Sequence, residues 1–577
     1  MMLPSRPIPR LEEAMPRLFA AAAPLLGERE LTRARLFFGG LVPVLRCADR
    51  RLREAAHEGE TDWSERATRN YYLALRGGLP FQNHFFLVLE DDSEKTTVVA
   101  RAASLAAGLL AVAHEIERGS IEPDILAGVP LEMEQYRRTL FATVRIPDAR
   151  HDRLVRREPW ARHLVVAVHG AFWAVDAFVG DAPATAAELA RAFEKIVLDA
   201  KATANTPAGP GPATALPREA WSAVRTSLAA EGASRSALEA VEDALFVVAL
   251  DLDSFPADAP EMADLVRLGN LENRWFDKSL QLVVSGNGRA ALTFEHSAVD
   301  GHNAMRVAAE AHARGTKASL VGSAAALSLR PLDFCPAPRV LGLLDDNRAF
   351  LQRERAGRRT LTFDAYGLGA ERFRALRLGI DAPVQLAIQL AAYSIFGELP
   401  AVNESVQMRR FRHGRYDTVY TVTPESLAFV RDEGRDTAGA RLRAAVDAHR
   451  RLVDACKRGE SPVLYFTALL DAQEARSRVR VEPDGLSAFG RTVLSDRGFR
   501  ELMHPRVTTS NAGARPGVDV FGFSDAEGGV LGVAYLVKAD RTTIHVKADG
   551  ELRSELPRFV ARLSDALEFI AQLGVAG

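Results

Sequence analysis

The spacing of hydrophobic positions changes several times along this chain of 577 residues, and each change predicts an element. Glu12–Leu26, Ala48–Gly59 and Ser64–Leu75 have the helical repeat, in which apolar side chains return every three or four residues. Phe85–Glu90 reads as a short strand. Leu164–Val168 and Leu245–Leu252 are uninterrupted and rich in β-branched residues, which predicts strands buried on both faces. Leu282–Val284 and Ala290–Phe294 flank Ser285-Gly286-Asn287-Gly288, a hairpin signal. Pro383–Phe396 is apolar nearly all round, a buried helix with Gly397 as its stop. Asp519–Phe523, Val530–Val537 and Thr542–Lys547 alternate as strands do, and a last helix is expected over Ser554–Leu573. Thr206–Pro212 is the clearest loop, and the proline-rich run Cys335–Pro338 reads as a domain crossing.

Length adds that one core does not suffice, so at least two domains are expected. With 47% apolar and 26% charged residues the composition is that of a globular protein. A net charge of −2 gives no support to a nucleic-acid partner. No stretch reaches 18 uninterrupted apolar residues, so no membrane span is expected. Three scattered cysteines, Cys47, Cys335 and Cys456, fit a reducing, cytoplasmic setting, and no His/Cys cluster has metal-ligand spacing. The expected metal content is none.

The candidate chemistry lies just after the predicted hairpin, in Phe294-Glu295-His296-Ser297-Ala298-Val299-Asp300-Gly301. His296 stands where a strand gives way to a loop, a place from which a rigid scaffold presents reactive groups. A neutral imidazole there can take a proton near neutral pH and return it. No Gly-x-Ser-x-Gly elbow accompanies it, so a hydrolase triad is the weaker reading.

This segment, with Asn273-Arg274-Trp275-Phe276-Asp277-Lys278-Ser279-Leu280-Gln281 before it, resembles the active-site region of the carnitine/choline acyltransferases. Further blocks are similar to that family in its order: Leu3–Pro9, Asp381–Phe411, Gly414-Arg415-Tyr416-Asp417-Thr418-Val419 and Val507-Thr508-Thr509-Ser510-Asn511. The resemblance implies an α/β fold of two domains, each a mixed sheet flanked by helices, with an active-site tunnel at their interface. Residues 63–337 would carry the histidine; residues 1–62 and 338–577 would form the second domain. It implies direct transfer from acyl-CoA, a co-substrate rather than a bound cofactor, to a small hydroxyl acceptor that His296 activates. Ser510 would stabilise the oxyanion. Asp300 would either orient His296 or pin its loop through an arginine, as the wider HxxxD superfamily suggests. For the carrier the resemblance points to Arg372, Arg374, Arg377 and Asp381. Arg374 aligns with a phosphate-binding lysine of the family, whereas the first such lysine aligns with Ala370.

At the acceptor site the chain departs from the family. The four carboxylate ligands of carnitine enzymes fall on Gln82, Asn403, Tyr416 and Leu464, with Thr508 nearby, and none is the family's residue. A buried carboxylate without a cation is costly, so carnitine is not the expected acceptor. Tyr416 or Tyr465 would be available to hold a cationic head by its ring face. Two alternatives stand beside this reading: transfer from an acyl carrier protein to a specialised alcohol or amine, and a non-catalytic acyl-CoA-binding protein.

Overall fold

The computed structural model describes residues 3–576 except 59–61, 149, 203–208, 323–324, 335–337, 433–434, 475–495 and 525–528. Part of the expected loop Thr206–Pro212 and most of the expected crossing Cys335–Pro338 lie outside the described residues.

Two mixed sheets organise the molecule. The first has eight strands in the order Leu329–Leu332, Ala171–Asp176, His163–Val168, Val247–Asp251, Leu280–Ser285, Ala290–Glu295, His84–Leu89, Val518–Phe523. Residues 63–337 supply seven of these; the eighth comes from the C-terminal part of the chain and pairs antiparallel with His84–Leu89. The expected hairpin is present, with Leu282 opposite Leu292 and the Ser285 N–H bonded to the Arg289 carbonyl at 2.9 Å. The central strands are buried on both faces because helices cover each side. Val98–Glu117, Ala186–Ala202 and Gly301–Lys317 pack on one face, and Arg218–Ala230, Gly232–Asp243 and Ala259–Leu268 on the other. Val98–Glu117 is long and apolar enough to cross a membrane, but here 67% of its most apolar stretch is buried inside the fold.

The second sheet runs Arg358–Tyr366, Arg541–Asp549, Leu531–Val537, Val507–Asn511, Val402–Gln407, Tyr416–Tyr420. Ala382–Phe396, Arg435–Lys457 and Leu552–Ala576 bury their apolar residues against one face of it. The first of these is the expected all-apolar helix, and Gly397 ends it at φ +73°, donating to the Tyr393 carbonyl. The other face of the sheet looks toward the first sheet and toward Leu11–Ala22, Glu28–Glu58 and Trp63–Ala74, which pack with Val463–Glu474.

One helix extends well beyond its sequence-based limits. The expected Ala48–Gly59 is the end of a helix that begins at Glu28. Gly39, Gly40 and Pro43 weaken its intrinsic propensity, but Phe38, Leu45, Ala48 and Leu52 fall on one face and are all at most 3% exposed. Tertiary burial outweighs local preference there.

Candidate active site

His296 ends the hairpin's second strand, and its position is set by a buried polar network beneath it. Asn83 holds it twice, by accepting from the His296 N–H at 3.0 Å and by donating its side-chain amide to Glu295 at 2.6 Å. Arg145 reaches the same Glu295 carboxylate at 3.0 Å, and Ser297 donates to its other oxygen. The block Asn273–Gln281 lies under this network. Arg274 grips Asp251 with both guanidinium nitrogens (3.1 and 2.7 Å), Asp277 pairs with Arg218 at 2.7 Å, and the Gln281 carbonyl accepts from the Trp275 N–H. The most recognisable stretch of the sequence therefore builds the platform under the histidine and does not line the main cavity.

The imidazole is held in one tautomer. Nδ1 lies 2.9 Å from the Val299 carbonyl, which can only accept, so Nδ1 carries the proton and Nε2 carries the lone pair. Burial pulls the His296 pKa below its usual value, the Asp300 carboxylate opposing and the Arg415 guanidinium reinforcing the shift. The ring is thus neutral at pH 7, as a base must be. Tyr72 (centroids 4.7 Å), Tyr416 (6.0 Å) and the edge of Phe85 (5.1 Å) enclose it, and the two tyrosine hydroxyls share a hydrogen bond of 2.6 Å.

Asp300 serves the loop more directly than the ring. Its carboxylate is 2.7 Å from Arg415 and takes a 2.6 Å bond from Gln135, whereas His296 Nδ1 is 3.6 Å away. Arg415 also donates to the backbone carbonyls of His296 and Ser297, at 2.6 and 2.8 Å. One arginine, at the entrance to the second sheet's strand Tyr416–Tyr420, thereby locks the whole loop that presents His296.

A cavity of about 280 Å³ opens between the sheets and collects most of the predicted residues. His296, Asp300, Gln82, Asn403, Tyr416, Leu464, Thr508 and Ser510 all line it. Thr508 and Ser510 alternate with the buried Val507 and Thr509, so they share the cavity face of their strand. The Ser510 hydroxyl has no hydrogen-bond partner among the described residues. Gln82 faces the cavity, but its carbonyl is taken by the Gly77 N–H at 2.7 Å. Tyr465 does not line the cavity: it is fully buried and donates to Asp49 at 2.7 Å, which removes it as a cation-binding face. Behind the His296 loop lies a second cleft of about 770 Å³, lined by Gln135, Ser297, Ala298 and Arg415 among others.

The carrier candidates are separate from this cavity. Arg372 and Arg374 project from the short helix Ala370–Ala375 and Arg377 from the turn after it; all three are exposed and make no ion pair among the described residues. Asp381 follows them in the chain and meets the site through Asn511, which lines the cavity and donates to Asp381 at 3.2 Å. Tyr535 and His449 also reach Asp381, at 2.7 and 3.0 Å. These bonds hold its pKa down at about 2, while burial and the Asp381 charge raise Glu404 well above the carboxylate range, so Glu404 keeps its proton. Asp381, Glu404 and His449 present ligand atoms within 4.8 Å of one another. That grouping could receive a cation and was not visible as a spacing, since its members lie on three separate elements.

Sequence reasoning assigned no role to Tyr72, Asn83, Gln135 or Arg145. Their partners are distant in the chain, and nothing local marks them. Arg415 carried a signal, because it stands inside the Gly-Arg-Tyr-Asp block.

A buried histidine at a strand end, on an HxxxD loop pinned by an arginine between two mixed α/β sheets, fits a CoA-dependent acyltransferase fold. The chain belongs to the choline/carnitine O-acyltransferase family, whose model matches residues 6–567, and it is an O-acyltransferase of that family. It is 26% identical to a putative mitochondrial carnitine O-acetyltransferase of Saccharomyces cerevisiae, over 94% of this chain and 90% of that one. Carnitine O-acetyltransferase of Mus musculus is 26% identical (89% and 84% covered) and choline O-acetyltransferase of Homo sapiens 28% (78% and 63%). Among solved structures, trichothecene 15-O-acetyltransferase TRI3 from Fusarium sporotrichioides aligns at TM-score 0.41 and 9% identity, covering 88% of this chain and 93% of its own.

Proposed function

We propose that this enzyme transfers an acyl group from acyl-CoA to a hydroxyl of a small acceptor other than carnitine, with His296 as general base. The observation that carries the reading is the tautomer of His296: with Nδ1–H given to Val299, Nε2 is the atom left to accept a proton, in a ring that lines the cavity. Nε2 takes the acceptor's hydroxyl proton as the oxygen attacks the thioester carbonyl. The C–O bond forms, and the charge on the former carbonyl oxygen receives the Ser510 hydroxyl. Collapse breaks the C–S bond, and the departing thiolate recovers the proton from Nε2. No acyl-enzyme is required. Arg372, Arg374 and Arg377 supply a phosphate grip for the carrier, arginine's planar fork suiting phosphate oxygens, and Asp381 connects that end to the cavity through Asn511.

The acceptor differs from carnitine because, among the described residues, no unpaired cation reaches the cavity. Arg415 is committed to Asp300 and Arg409 to Asp124 at 2.6 Å. A carboxylate there would lose its water for no counter-charge. The test is thiol release from acetyl-CoA with carnitine, choline and uncharged alcohols in parallel. Wild type should use carnitine at least ~10²-fold less efficiently in kcat/KM than its best acceptor. His296→Ala should lower turnover by on the order of 10²–10⁴-fold. Near-wild-type turnover by His296→Ala defeats the base assignment, and carnitine as the best acceptor defeats the acceptor reading. No thiol release above the uncatalysed rate with any acceptor would leave the binding-protein alternative standing.

A further inference from the structure

The wall opposite His296 has a uniform chemistry that bears on the acceptor. Along Val402–Gln407 buried and half-buried residues alternate, so Asn403, Ser405 and Gln407 share the cavity face. Register places Thr418 opposite Ser405, Tyr416 opposite Gln407, and Thr508 beside Asn403 on the other neighbouring strand. All six are neutral amides or hydroxyls.

Every charged side chain among the described residues that reaches the cavity is already compensated. Asp300 pairs with Arg415 at 2.7 Å, Arg409 with Asp124 at 2.6 Å, and Asp417 with Arg6, both of whose side chains are fully buried. Among the described residues neither sign of charge is left to meet an ionic substrate group. The ring faces nearest the base are engaged too: Tyr72 and Tyr416 both lie against His296, and the Arg415 guanidinium sits 5.6 Å over Tyr72. A quaternary ammonium would have to compete with these partners.

Two acceptor atoms of this wall are unmet. The side-chain carbonyls of Asn403 and Gln407 are buried and have no donor among the described residues. A buried carbonyl left in that state is destabilising, and a ligand that donates hydrogen bonds removes the penalty. The two residues stand four positions apart, roughly 13 Å along the strand, so the donors must be spread over more than one carbon. We propose that the acceptor is an uncharged polyhydroxylated molecule, of polyol or sugar type, one hydroxyl of which meets His296 while others donate to Asn403 and Gln407. Its acylation would follow the transfer reading above; its recognition by the amide wall is a separate claim.

The experiment has two readouts. Thiol release from acetyl-CoA is measured with glycerol, ribitol, myo-inositol and glucose against choline and carnitine, and ligand-observed NMR follows binding of the same six compounds. A neutral polyol or sugar should be the best acceptor by kcat/KM, and Asn403→Leu or, independently, Gln407→Leu should raise its KM about tenfold, the loss of one hydrogen bond, with kcat little changed. Choline or carnitine as the best acceptor overturns the proposal, as does an unchanged polyol KM in both folded variants. If no compound releases thiol yet a polyol binds wild type and loses affinity in the variants, recognition stands and the transfer reading fails. Absence of saturable polyol binding at tens of millimolar overturns recognition whatever the activity.

Discussion

Ser510 illustrates how little a residue reveals before its surroundings are known. In the chain it is one of three consecutive hydroxyl residues, 508 to 510. In the fold the strand's alternation turns Thr509 inward, where it donates to the Asn403 backbone carbonyl and accepts from Gln385, and leaves Ser510 on the cavity face without a partner. Under the proposed mechanism a hydroxyl in that place contributes mainly when charge develops on the carbonyl oxygen. Ser510→Ala should therefore lower kcat by roughly 10²-fold with little change in the KM of either substrate. Steady-state kinetics over both substrates checks this, and an effect confined to KM would make Ser510 a ground-state contact. Asp300 shows the converse: its spacing from His296 invites a dyad, yet the charge it serves is Arg415, just before a strand of the other sheet.

Turns and short helices carry the next layer of control. Gly414 precedes Arg415 and Tyr416, and a Cβ there would stand 2.1 Å from the Met408 carbonyl, a backbone atom that cannot swing aside. Gly397 has open space around it but sits at φ +73°. Gly397→Ala should cost about 1 kcal/mol of stability and leave kcat unchanged. Gly414→Ala should shift the strand that delivers Arg415 and Tyr416, and so lower kcat as well as stability. Chemical denaturation beside kinetics separates the two; equal kinetics in both variants would show that the loop does not depend on this turn. The arginines around Ala370–Ala375 give the second prediction at this scale. Neutralising Arg374 with Arg377 should raise the KM for acyl-CoA, each lost phosphate contact being worth about 1.5–3 kcal/mol. An acyl-pantetheine donor has neither the 3′-phosphate nor the pyrophosphate, and its KM should stay put. An equal loss with both donors would mark the arginines as structural. The length of the Glu28–Glu58 helix was hidden at this scale, because its glycines and proline read locally as breaks and only the packed face of Phe38, Leu45, Ala48 and Leu52 restores it.

For the molecule as a whole, buried histidines tie stability to pH. Burial, their largest influence, brings His84 and His302 down to about 4 and His545 to about 3, from an ordinary 6.5. Their folded pKa values lie below the unfolded ones, so above pH 6.5 both states are neutral and the stability is full. As pH falls from 6.5 toward 4 only the unfolded chain takes up these protons, and each such histidine removes about 1.4 kcal/mol per pH unit. The melting temperature should be level above pH 7 and drop steadily below 6. A melting temperature independent of pH between 7 and 5 would mean that these rings are protonated in the folded state.

The sequence by itself determined the elements whose signal is local: the hairpin before His296, the doubly buried strands, the apolar helix ended by Gly397, and the family to which the ordered blocks point. Residue identity at four positions, laid against the family without coordinates, also raised the expectation that carnitine's ligands are replaced. Only the tertiary structure decided what those residues do together. The Asn273–Gln281 block proved to be a platform because Arg274, Asp277 and Gln281 find partners within and outside their own block. Tyr72 reached His296 across more than two hundred residues, and Tyr465, one position from a predicted ligand, turned away to Asp49. Local patterns follow from backbone periodicity and burial, which act over a few residues. Charge pairing, the tautomer of a histidine and the unmet carbonyls of a cavity wall depend on which distant side chains the packed sheets bring together.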